Sequence, residues 1–136
     1  MSEGTLDEEE AFANAYYYFI EALKMLAADA DTQCKRMGNY NVAWEIKDDV
    51  SRGVCLFDLP QGQALTIEER DGITSLVAAL KELPASLLVS ATTEAANKKA
   101  MYDPCWVPLR ARAVELLKLL AAMTTRNEAF FAGGKS

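Results

Sequence analysis

The chain contains no histidine. That excludes a Ser-His-Asp or Cys-His mechanism built from its own residues. It also removes the Glu-x-x-His motif on which many carboxylate-bridged metal bundles depend. Cysteine is sparse: Cys34, Cys55 and Cys105 stand far apart with no CxxC spacing. An odd number at such distances argues against a disulfide framework. Three partly buried small hydrophobes are the simplest reading, ahead of a metal site or a reactive thiol. Long apolar runs are missing too. Lys24 breaks the first apolar stretch, and Glu115 and Lys118 break the last, so neither reaches the roughly 18–20 residues that cross a bilayer.

Basic residues do not gather into a stripe. Lys98-Lys99 and the Arg110/Arg112 pair are small, separate clusters suited to solvated helix faces, and Lys35-Arg36 suits the negative end of a helix. The net charge of −6 is itself local: five of the twenty acids fall in the first ten residues, which leaves fifteen against fourteen bases. Nucleic acid and anionic membranes need a basic surface, so neither is an expected partner. The acidic start, MSEGTLDEEE, lacks the basic-then-apolar order of a secretory signal, and the expected location is the cytoplasm. The last residues, AGGKS, echo the end of a phosphate-binding loop. Ala129 stands where that motif needs glycine, and no helix follows Ser136 to receive a phosphate.

What the sequence does hold is helical periodicity. Thr5 and Glu8 fit a capping box, and the acids Asp7 to Glu10 favour the positive end of a helix. Phe12, Tyr16, Phe19, Ile20, Leu23, Leu26, Ala30, Cys34 and Met37 then recur in steps of three and four. That stripe predicts a first helix of roughly thirty residues, about 45 Å long, ended by Gly38 and Asn39. Asn41 suits the cap of a second helix through Ile46 and Val50, read as ending near Asp58, with a turn or loop at Gln61-Gly62-Gln63. Thr66 and Glu69 form another capping box, and the helix they open stops at Pro84. A further helix is expected from Leu87 to Met101. The last helix starts at Asp103-Pro104 or at Pro108 and runs through Leu109, Leu116 and Met123. The 51% hydrophobic content supports one core. The expected fold is all-α: an irregular antiparallel bundle of about five helices with a long N-terminal helix. It forms a single domain over 1–136, with 1–5 and 132–136 as flexible ends.

Candidate chemistry centres on the second helix. Tyr40 and Trp44 are four apart and flank Glu45, Asp48 and Asp49. The spacing puts Glu45 on one helical face with Asp48 or Asp49. It supplies neither a full metal-ligand set nor an acid–base pair, so a solvated face or a partner contact is the better reading. No cofactor or metal is expected. Tyrosine and tryptophan anchor protein interfaces because they bury large area while keeping a polar handle, although Trp44 and Trp106 both also suit the core. The run Tyr16-Tyr17-Tyr18 must send at least one ring to the surface, and Phe130-Phe131 is expected to dock back on the bundle.

The segments NYNVAWEIKDDVSRG and MYDPCWVPLRARAVELLKLL resemble small helical proteins associated with bacterial toxin immunity. The resemblance implies stoichiometric blocking of a toxin, and it carries over no functional residue. The expected function is therefore a non-enzymatic protein-binding module that acts as an immunity protein. Its expected partner is another protein, a toxin, bound through Tyr40, Trp44, Glu45, Asp48 and Asp49. The alternative is a structural or regulatory homo-oligomer, a homodimer in its simplest form, paired through the end of the long first helix.

Overall fold

The computed structural model describes residues 2–38, 40–89 and 92–134, with the side chains of residues 2–6 and 134 left aside. It is all-helical: among the described residues there are eight α-helices and no strand. The stop assigned to Asn39, and parts of the ends expected to be flexible, lie outside the described residues.

The first apolar stripe folds as two helices, α1 (Ser2–Ala27) and α2 (Ala30–Met37). Thr5 thus lies inside α1 and not at its cap. Asp29 turns the chain: its carboxylate accepts the Thr32 amide at 2.7 Å and caps α2. Gln33 completes the break. Its side-chain amide donates to the Met25 and Leu26 carbonyls at 3.0 and 3.1 Å, satisfying the open end of α1. Its oxygen accepts Arg110 at 2.9 Å, and Arg110 also donates to the Met101 carbonyl. Arg110 therefore ties three helices together and is not a solvated surface cation.

Helix α3 (Val42–Ser51) starts at the expected Asn41 cap. The chain stays helical to Asp58 but tightens to 3₁₀ turns over Arg52–Asp58 and again over Pro60–Ala64, where a loop was expected. Two glycines allow this. A methyl group on Gly53 would sit 2.4 Å from the Phe19 ring, and one on Gly62 would sit 2.2 Å from the Leu56 carbonyl.

The capping box of Thr66 and Glu69 opens α4 (Ile67–Lys81) as expected. The helix expected over 87–101 is instead a short α5 (Ala85–Leu88) and a separate α6 (Glu94–Met101). Thr93 provides the physical reason, since its hydroxyl accepts the Ala96 amide and starts α6 afresh. Helix α7 (Trp106–Leu119) begins between the two expected starts. Asp103 accepts the Cys105 amide just before it, and Pro108 falls within its first turn. Leu120 separates α7 from α8 (Ala121–Ala129), which runs into a wider π turn over Phe130–Gly134. The Leu120 carbonyl there accepts the Tyr16 hydroxyl in addition to the Thr124 amide.

Helix α1 lies at the centre of the packing, against α7, α3, α8 and both 3₁₀ segments. Trp106, Tyr16 and Leu23 are fully buried in the core. Burial pushes the Tyr16 hydroxyl up to about 12, against a smaller opposing effect from its 2.8 Å bond with Thr124.

Candidate functional site

Two asparagines, the half-buried Asn41 and the buried Asn97, fix where α3 begins. Asn41 accepts the Trp44 amide at 3.1 Å and donates to the Leu88 carbonyl at 2.9 Å. Asn97, on α6, accepts the Val42 amide at 3.1 Å and donates to the Tyr40 and Gly38 carbonyls at 2.9 and 3.4 Å. The first free amides of α3 are thus satisfied by side chains, as a helix start requires. Val42, Ala43, Ile46 and Val50 turn inward at helical spacing and clamp the helix to the core.

What faces outward is the predicted aromatic pair. Tyr40 is 58% exposed and Trp44 is 46% exposed, so Trp44 leaves the core to Trp106 alone. The acids divide. Asp48, itself half-buried, pairs with the exposed Arg52 at 2.9 Å, and pairs with one open partner contribute little. Glu45 is half-buried. Asp49 is half-buried as well, and it makes no hydrogen bond or ion pair among the described residues. Loss of water pushes its carboxyl up, Arg52 opposes this, and Asp48 reinforces it.

Asp49 lines a groove of about 690 Å³ between α1 and the α3–3₁₀ segment. On one side stand Ala15, Tyr18, Phe19, Ala22 and Met25 of α1; on the other stand Ile46, Asp49, Leu56 and Leu59. Tyr40, Trp44, Glu45 and Asp48 do not line it. The predicted residues, four on α3 and Tyr40 just before its cap, therefore serve two surfaces. Sequence reasoning missed the groove, although Tyr18 was legible as part of a triplet that could not all turn inward.

A third feature is an aromatic ridge. Tyr17 meets Tyr18 and Phe131 edge to face, at 5.3 and 6.2 Å between ring centres, and Phe131 meets Phe130 at 5.7 Å. Of the terminal phenylalanines expected to dock back, Phe131 touches α1 through Tyr17 while remaining exposed, and Phe130 packs on Phe131.

The cysteines have little nucleophilic character where shifts are resolved. Burial pushes the Cys34 thiol up, and burial with a bond to Asp103 pushes Cys105 up to about 11. Both stay protonated at neutral pH, whereas nucleophilic catalysis needs the thiolate. Cys55 is exposed, contrary to the expected partial burial. Among the described residues no three His, Cys, Asp or Glu side chains are placed to hold a metal. No family model, no curated protein and no solved structure matches this chain.

Proposed function

We propose that this chain is a non-enzymatic protein-recognition module, and more narrowly an immunity protein that neutralises a cognate toxin by stoichiometric binding. The observation that carries the recognition reading is the exposed Tyr40–Trp44 pair on a backbone held by Asn41 and Asn97. Large aromatics dominate interface energies when they are buried at the centre of a contact. An anchor whose backbone is already fixed loses less freedom on binding. Glu45 and Asp48 beside them favour a partner with basic groups at the rim. The narrower reading rests on the resemblance of the α3 and α7 segments to toxin-immunity proteins.

The test is affinity purification from the native host at endogenous expression, comparing the wild-type chain with Tyr40→Ala/Trp44→Ala. One protein at about equal stoichiometry, lost with the double variant while its fold is retained, supports the reading. Equal recovery by both chains, or no protein partner at all, overturns it. Restored growth of cells expressing that partner would establish neutralisation.

A second reading, self-association, draws on the ridge of Tyr17, Tyr18, Phe130 and Phe131. A solution mass equal to one chain at high micromolar concentration would remove it.

A further inference from the structure

The groove beside α1 has a chemistry independent of the Tyr40–Trp44 surface. Its α1 wall runs from Ala15 to Met25, about 15 Å along the helix axis. Its volume of about 690 Å³ lies inside the range of roughly 300–1,000 Å³ typical of small-molecule sites. The lining is apolar apart from a few groups, and of its three charged residues, Glu21, Asp49 and Arg52, two are already paired. Glu21 holds Lys24 at 3.3 Å, and Arg52 holds Asp48 at 2.9 Å. Asp49 has neither a hydrogen bond nor an ion pair among the described residues.

Asp49 is a half-buried carboxylate beside an apolar wall that has lost water and gained only the through-space attraction of Arg52, with no hydrogen bond or contact ion pair, so a cation brought to it restores what burial removed. We propose that the groove binds one small amphiphilic cation, an alkyl chain bearing an ammonium head. The chain lies against Phe19, Ala22, Met25 and Leu56, and the head meets Asp49. Methionine suits such a wall because its unbranched side chain adapts to the shape that enters. Tyr18, which lines the groove and is 70% exposed, adds an aromatic ring of the kind that draws quaternary ammonium groups. An anionic amphiphile of equal length would meet Asp49 and Glu21, with Arg52 already engaged by Asp48.

The test uses the full chain with carbon-13-labelled methionine methyls and two matched probes, dodecyltrimethylammonium and dodecanoate, each below its micelle concentration. Met25 and Met37 line the groove, whereas Met101 and Met123 lie in the core. The ammonium probe is expected to shift the first pair and leave the second pair unmoved. Dodecanoate is expected to bind at least tenfold more weakly. Asp49→Asn is expected to weaken ammonium binding roughly tenfold, the size of one charge-assisted contact. Ala22→Phe, which narrows the groove, is expected to weaken both probes. If that variant does not fold, Asp49→Asn still decides the matter. Equal or tighter binding of dodecanoate, unchanged ammonium affinity in Asp49→Asn, or shifts that spread to Met101 and Met123 would overturn the proposal. None of these outcomes touches Tyr40 or Trp44, so failure here leaves the protein-recognition reading standing.

Discussion

Asn97→Ala is expected to be among the most damaging single-atom-group losses on this surface, although the side chain is only 1% exposed and touches no partner. The asparagine accepts from the Val42 amide and donates to two carbonyls, those of Tyr40 and Gly38. Val42 is fully buried, so the alanine variant strands its amide away from water. An orphaned buried donor costs about 1–3 kcal/mol, and each further bond contributes about 1 kcal/mol. The expected loss is about 3 kcal/mol, or a fall of roughly 10 °C in Tm for a domain of this size. Urea unfolding followed by circular dichroism measures it. Asn97→Asp provides the discriminating control. It keeps the acceptor for Val42 but sets a carboxylate against two carbonyls, which raises its folded-state pKa. The protonated form then stabilises the fold, so this variant is expected to gain stability as pH falls into the carboxylate range and lose it as pH rises. An alanine variant that loses less than about 1 kcal/mol, or an aspartate variant with wild-type stability at neutral pH, would refute the bonding described.

Helix starts were legible where a local cap coincides with a break in the apolar stripe, and were missed at Asp29 and Thr93, whose equally local caps fall inside a continuous stripe. The Thr66–Glu69 box and the Asn41 cap are of the first kind, and both stand as read. The break between α1 and α2 was hidden because apolar spacing does not register a change in axis direction. Leu26, Ala30 and Cys34 are buried on both sides of it, so the stripe continues through the turn. The signal lay in polar residues: Asp29, which suits a cap, and Gln33, whose partners are eight and seven residues back and seventy-seven residues ahead. With the break, α1 has 26 residues and spans about 39 Å, which leaves less free helix end for the alternative of pairing with a second copy. Tyr40 and Trp44 could be read as interface candidates because large aromatics sit in and just after a turn, beside acids, but the same reading left Trp44 equally suited to the core, from which its 46% exposure removes it. The groove was not legible. Phe19 and Ile46 read as core stripe, and nothing local says that two such stripes leave a gap between them.

Tyr16→Phe is expected to cost about 1–2 kcal/mol at neutral pH, because the hydroxyl bonds both Thr124 and the Leu120 carbonyl. Burial raises its pKa from the ordinary 10.0 to about 12. Its contribution is therefore complete below pH 10.0 and lost as pH rises through about 12, and a pH series of thermal melts should show the phenylalanine variant with a flatter decline. Gly53→Ala places a methyl 2.4 Å from a buried ring and is expected to cost about 1–3 kcal/mol by chemical denaturation, as over-packing does; a neutral effect would mean that Phe19 is free to move. The turn at Asp29 is tested by Gln33→Ala and Arg110→Ala, singly and together. Gln33 is fully buried and holds the last carbonyls of α1 with one end and Arg110 with the other. The two losses are thus expected to be less than additive, with a coupling of about 1–2 kcal/mol in the double-mutant cycle. Were α1 and α2 one continuous helix, the Met25 and Leu26 carbonyls would be bonded by backbone amides one turn on, and Gln33 would have neither of those acceptors to reach. Strict additivity with a small loss for Gln33→Ala would then follow, and the two-helix account would fail.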